Sequence, residues 1–188
     1  FYFKKTQKRL ADYFKQNKTV DKIDVINGIM VPTIDEMLSN VPKDFLCTDT
    51  SYRIHGDYIL DNILYDKPNF KLLDWRQDFS GDLTNGDIYY DLAKLNHNLL
   101  FNHDIVNKEL FTIKNENGSI TCDILRSNTL TECRHQLHNF IVKNGFDLKK
   151  VEMLTAIIWL NMSPLHEQPI SQFLYYFGKL RLFKSLNS

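Results

Sequence analysis

Apolar positions along the chain change period several times, and the changes predict its elements. Phe3, Leu10, Tyr13 and Phe14 fall near one face of a helix over residues 3–16, with Lys4, Lys5, Lys8, Arg9 and Lys15 elsewhere on it. Such a charge run is read as a solvated face rather than a phosphate-binding patch. Residues 18–27 read as a loop or short helix. Thr33-Ile34-Asp35-Glu36 carries a capping-box pattern that opens a helix ended by Pro42. Ser51-Tyr52-Arg53-Ile54 is read as a buried strand. Asn62-Ile63-Leu64-Tyr65 and Phe70-Lys71-Leu72-Leu73 read as two strands joined by a turn at Asp66-Lys67-Pro68-Asn69. Residues 76–85, rich in Gly, Ser, Asn and Asp, make a loop.

Beyond that loop the period is mostly helical. Tyr89, Leu92, Leu95 and Leu99 predict a helix over 88–100, set beneath the preceding loop. Phe111-Thr112-Ile113 and Ser119-Ile120-Thr121-Cys122 flank Asn117-Gly118, a hairpin signal, and this hairpin is read as a surface decoration. Helices follow over 129–143, capped near Ser127 or Thr129 and ended at Gly145, over the strongly apolar stretch 148–161, and over 170–186. Trp159, Tyr175 and Tyr176 are assigned to the core. The fold class is therefore α+β, mainly α, with short β-hairpins in a single domain spanning 1–188.

Composition narrows the classes. The 188 residues are 43% hydrophobic and 13% aromatic, which places the chain among globular proteins. Lys plus Arg equals Asp plus Glu at 23 each, so no global field draws nucleic acid or an anionic membrane. No apolar run reaches the length of a membrane span and the start has no signal-peptide core. Cys47, Cys122 and Cys133 are odd in number and lack Cys-x-x-Cys spacing, which argues for a reducing compartment; the chain is read as cytoplasmic. The abundance of Asn, Lys and Ile suggests an AT-rich, bacterial source. His135 and His138 share a helix face, but no partner completes a zinc spacing, and both are read as polar helix surface.

The candidate chemistry lies in Ile54-His55-Gly56-Asp57-Tyr58-Ile59-Leu60-Asp61-Asn62, followed by Leu73-Asp74-Trp75. An aspartate, an asparagine five positions on and an aspartate closing a hairpin are the parts of a phosphoryl-transfer site: a base for the acceptor hydroxyl and two oxygen ligands for magnesium. Asp57 is the candidate base, with Asn62 and Asp74 as magnesium and nucleotide ligands. His55 belongs to the same catalytic loop and is read as bracing it, the hydroxyl proton being assigned to Asp57 rather than to His55.

His55-Gly56-Asp57-x-x-x-x-Asn62 and Asp74-Trp75 together resemble the signature of the aminoglycoside phosphotransferase and choline kinase family, and Gly86-Asp87-Ile88-Tyr89-Tyr90-Asp91-Leu92-Ala93 is similar to the segment opening that family's next helix, with Ile88 where proline is frequent. The three motifs cover about forty residues. The resemblance implies the C-terminal lobe of a protein-kinase-like fold, ATP and magnesium as cofactors, a small-molecule hydroxyl acceptor, and Asp91 as an anchor of the loop backbone. Arg76 stands where many relatives carry glutamate; it would repel a cation and could grip a carboxylate or phosphate, or instead pair with Asp78 or Asp82. Only 54 residues precede His55 and Gly28 is their single glycine, so the nucleotide-clasping N-terminal lobe is expected to be absent from this chain. The leading expectation is an ATP-dependent phosphotransferase acting on an amino alcohol, a sugar or a sugar derivative. The rivals are a non-catalytic kinase-like binding or scaffold module and a metal-dependent phosphate-ester hydrolase.

Overall fold

The structure is a computed structural model that describes residues 2–46 and 51–188. Cys47, one of the three thiols, lies outside the described residues; Cys122 is buried and Cys133 exposed, both free. Helix α1 (Tyr2–Asn17) buries Thr6, Leu10 and Tyr13, one face at three- to four-residue spacing. Lys5 and Arg9 are half-buried, whereas Lys4, Lys8 and Lys15 are exposed. The solvated-face reading therefore fails for Lys5 and Arg9, which the chain turns toward the body of the molecule.

Residues 24–31 correct the expected loop or short helix. They form β1 (Asp24–Ile26) and β2 (Ile29–Val31) around Asn27 and Gly28, both at positive φ (50° and 75°), as a two-residue hairpin turn of this twist demands. The same dipeptide signal that marks the later hairpin was present here. Helix α2 (Ile34–Ser39) starts at Thr33, whose side chain accepts from the Glu36 N–H at 3.2 Å. Residues 51–54 are not a strand: Tyr52 forms a single bridge to Gly86, and Tyr52 and Arg53 are exposed. The opposing segment 76–85 is an irregular loop and offers no further ladder.

β3 (Ile63–Asp66) and β4 (Asn69–Leu72) form an antiparallel ribbon with Ile63 opposite Leu72. Next come α3 (Ile88–Leu100), capped by the Asp87 side chain, and α4 (His103–Asn107). β5 (Phe111–Glu116) and β6 (Ser119–Ile124) follow. This second hairpin is no decoration. β6 pairs in parallel with β1 to give a four-stranded sheet in the order β2-β1-β6-β5, and it buries Ile120, Cys122 and Ile124 on alternate positions. Asn27 locks the crossing, its amide bonding the Cys122 carbonyl (2.7 Å) and N–H (2.8 Å).

Helices α5 (Asn128–Lys143), capped by Ser127, α6 (Leu148–Met162), capped by Asp147, and α7 (Ile170–Leu186) complete the chain. α6 is the axis of the core, with Val151, Met153, Leu154, Ala156, Ile157, Trp159 and Leu160 buried against α7, α3 and α1. His138 is half-buried, not helix surface: its Nε2 lies 3.0 Å from Asn96 Oδ1 and 3.3 Å from Glu152, which also pairs with Arg134 and Arg181. This α+β, mainly α architecture is that of a kinase-like lobe. Among the described residues no helix is long and apolar enough to cross a membrane.

Candidate active site

Residues 54–59 pass over α3 without regular structure, end in a 3₁₀ turn at Leu60–Asn62, and are held by side chains of α3. Asp91, buried in the first turn, accepts the His55 N–H at 2.6 Å on Oδ2 and the Gly56 N–H at 2.8 Å on Oδ1. Burial raises its carboxyl above the ordinary range, and those two backbone donors pull it back down. Two turns further on, Asn98 accepts the Leu60 N–H at 2.9 Å. The loop is thus tied to one helix at both ends.

Gly56 lies at φ +81°, and a Cβ there would sit 2.5 Å from Arg76 Cβ. Only glycine lets the two segments meet, and the Arg76 N–H donates to the His55 carbonyl at 2.9 Å. The His55 ring closes the junction. Its Nδ1 faces the Asp57 N–H (3.2 Å) and its Nε2 the Leu73 carbonyl (2.7 Å), which assigns the proton to Nε2. Both ring nitrogens are engaged by main chain, and neither is left for a substrate proton.

Asp57 is the carboxylate that the loop presents to α3, whereas Asp61 faces His103 at 3.0 Å. Lys94 Nζ lies 2.6 Å from its Oδ1, while the Asn62 amide nitrogen donates to the Asp57 carbonyl at 2.9 Å and to Oδ2 at 3.4 Å. With its nitrogen so engaged, Asn62 turns its amide oxygen elsewhere, available as a hard ligand. The Leu73 N–H donates to the Asn62 carbonyl at 2.9 Å, and this bond continues the ribbon and returns the chain at Asp74. Asp74 sits at φ +55°, a left-handed conformation that costs about 1–2 kcal/mol for a residue with a Cβ. Its exposed carboxylate forms no hydrogen bond or ion pair among the described residues. Asp57, Asp74, Arg76, Tyr90 and Lys94 line one cleft of about 600 Å³.

A magnesium ion with a nucleotide needs hard oxygens and few of them, since the phosphates and water fill the remaining positions. An amide oxygen at Asn62 and a carboxylate at Asp74, brought to neighbouring ends of the β3–β4 ribbon, are of that kind. Among the described residues no three His, Cys, Asp or Glu side chains cluster as a complete protein cage.

Arg76 forms no ion pair with Asp78 or Asp82 among the described residues; its guanidinium lies 5.5 Å from the Tyr90 ring centroid. Lys5 approaches the same ring, at 6.0 Å, and Tyr2 and Phe79 pack on it as well. Sequence reasoning passed over Lys94, although it stands one helical turn after Asp91 and so shares the face that meets the loop. No short-range signal could place Lys5, Arg9 and Tyr90 together.

The mainly α lobe, with its loop tied to α3 and its short ribbon, is of the kinase-like class. Residues 3–106 match the phosphotransferase enzyme family, and the chain belongs to that family. No curated protein and no solved structure matches it.

Proposed function

We propose that the chain transfers the terminal phosphoryl group of ATP to a hydroxyl of a small metabolite such as an amino alcohol, a sugar or a sugar derivative. The observation that carries this reading is Asp57 itself, held by Lys94 and Asn62 at one wall of a cleft that Asp74 also lines. Asp57 orients the acceptor hydroxyl and takes its proton. Asn62 and Asp74 would hold magnesium, which with ATP bound would supply neutralising charge to the phosphates. His55 and Asp91 fix the loop from below, and Arg76 meets the acceptor. Little covalent work falls to the protein, because positioning and electrostatics carry most of such a transfer.

Production of ADP by the protein with magnesium, measured against a panel of small alcohols and sugars, tests the proposal. Turnover should require an acceptor and should fall by about 10²–10⁴ in Asp57→Asn. ATP consumption that ignores both acceptor and variant would refute it, as would phosphate release from esters without any acceptor.

A further inference from the structure

Beside the cleft is a second, smaller pocket of about 150 Å³ in which four cationic side chains meet: Lys5 and Arg9 from α1, Arg76 from the loop and Lys94 from α3. Lys5 and Arg9 are four residues apart and therefore project from one helix face. Arg76, Tyr90 and Lys94 line both the pocket and the cleft, so the two spaces adjoin, and Asp57 lies on the cleft side, paired to the shared Lys94. Among the described residues no carboxylate lines the smaller pocket. In a chain whose charges balance at 23 against 23, this is a local concentration and not a reflection of overall charge.

The arrangement carries an electrostatic cost. Burial holds the Lys5 amine below its ordinary value, and Arg76, Arg9 and Lys94 push it the same way against the opposing influence of Tyr90. Lys94 has Asp57 as its counter-ion, but Arg9 and Arg76 form no ion pair among the described residues. The Asn161 carboxamide oxygen, closed off from solvent in the same wall, has no hydrogen-bond partner among the described residues; as an acceptor it calls for a donor, such as a hydroxyl of the bound molecule, and not for the anion itself. Cations gathered in this way are what an anion repays, and guanidinium groups suit the paired oxygens of a phosphate or carboxylate.

We infer that the acceptor is itself anionic, with a phosphate or carboxylate seated among Lys5, Arg9, Arg76 and Lys94 while its hydroxyl faces Asp57. This rests on the reading of the chain as a hydroxyl kinase and names the class of its substrate. The anion belongs to the acceptor and not to ATP because the pocket is walled by α1 and α6, while Asn62 and Asp74 line no part of it.

Two measurements test the inference. First, binding of inorganic phosphate and of D-gluconate is followed by calorimetry on the wild type, Arg9→Gln and Arg9→Lys, with and without magnesium and a non-hydrolysable ATP analogue. Affinity should fall about 10- to 100-fold in Arg9→Gln, be restored in large part by Arg9→Lys, and survive saturation with the nucleotide. Second, kcat/KM is compared for sn-glycerol 3-phosphate against glycerol, and for D-gluconate against D-glucose. The charged member of each pair should be preferred at least about tenfold, with that ratio collapsing in Arg9→Gln. Anion binding that the nucleotide displaces would assign the cluster to the donor and overturn the inference. So would absent anion binding, or Asp57-dependent turnover that favours neutral or cationic acceptors. Anion binding lost in Arg9→Gln but without turnover of any acceptor would instead count against the kinase reading and leave the anion site standing.

Discussion

Asp91 offers the sharpest test of how the loop is held. Its two carboxylate oxygens each accept one backbone N–H, from His55 at 2.6 Å and Gly56 at 2.8 Å, in a buried position. Asp91→Asn keeps the shape but turns an NH₂ toward one of those donors, removing one charge-assisted bond of about 1.5–3 kcal/mol and weakening the other. Asp91→Ala leaves two buried donors without an acceptor, at about 1–3 kcal/mol each, so its total should reach about 2–6 kcal/mol. A domain with about 5–15 kcal/mol of stability survives the first change and is marginal after the second. Urea denaturation followed by far-UV circular dichroism measures both. Phosphoryl transfer should fall further than stability does, because a displacement of about 1 Å at Asp57 can cost about 10²-fold in rate. If both variants unfold within about 0.5 kcal/mol of the wild type and turn over ATP at its rate, the loop is not held through Asp91.

Three further perturbations read other parts of the structure. Gly56→Ala meets a left-handed backbone and an Arg76 Cβ at 2.5 Å, so about 2–5 kcal/mol should be lost, read by thermal unfolding; unchanged stability would mean that the 54–62 and 74–76 segments do not lie in contact. His97 is fully buried with its Nδ1 donating to the Lys94 carbonyl at 2.6 Å, and burial pushes its imidazole down to about 3. The unfolded chain then takes up this proton near pH 6.5 and the folded chain does not, so stability should fall by up to about 1.4 kcal/mol per pH unit as pH drops from about 6.5 toward 3. His97→Gln should remove that part of the slope, and urea midpoints for the two proteins that run parallel from pH 7 to pH 5 would contradict it. Lys179 is fully buried between Asp24 (2.7 Å), Asp21 (3.3 Å) and the Lys22 carbonyl, so Lys179→Met strands buried carboxylates and should cost about 3–5 kcal/mol in urea; a neutral result would place those carboxylates in water.

What the sequence by itself determined is local. Helix starts at Thr33, Ser127 and the apolar run of α6 were legible because capping and period act within a turn or two of chain. The candidate site residues could be singled out because His55 to Asn62 and Asp74 lie on one short segment whose ribbon must reverse, so sequence spacing fixes proximity. Even the missed β1–β2 hairpin had its signal in Asn27-Gly28; a stretch of three residues per strand is too short for a period to show. Tertiary structure decided what lies far apart in sequence. The parallel pairing of β1 with β6 joins residues about 95 positions apart and turns an apparent surface hairpin into one half of a four-stranded sheet. The two sides of the smaller pocket meet in the same way: α1 and α3 both pack on α6, and that packing brings Lys5 and Arg9 to Arg76 and Lys94. Helical period reports that a lysine lies off the apolar stripe. Only the neighbouring helices determine whether it faces water or another charge.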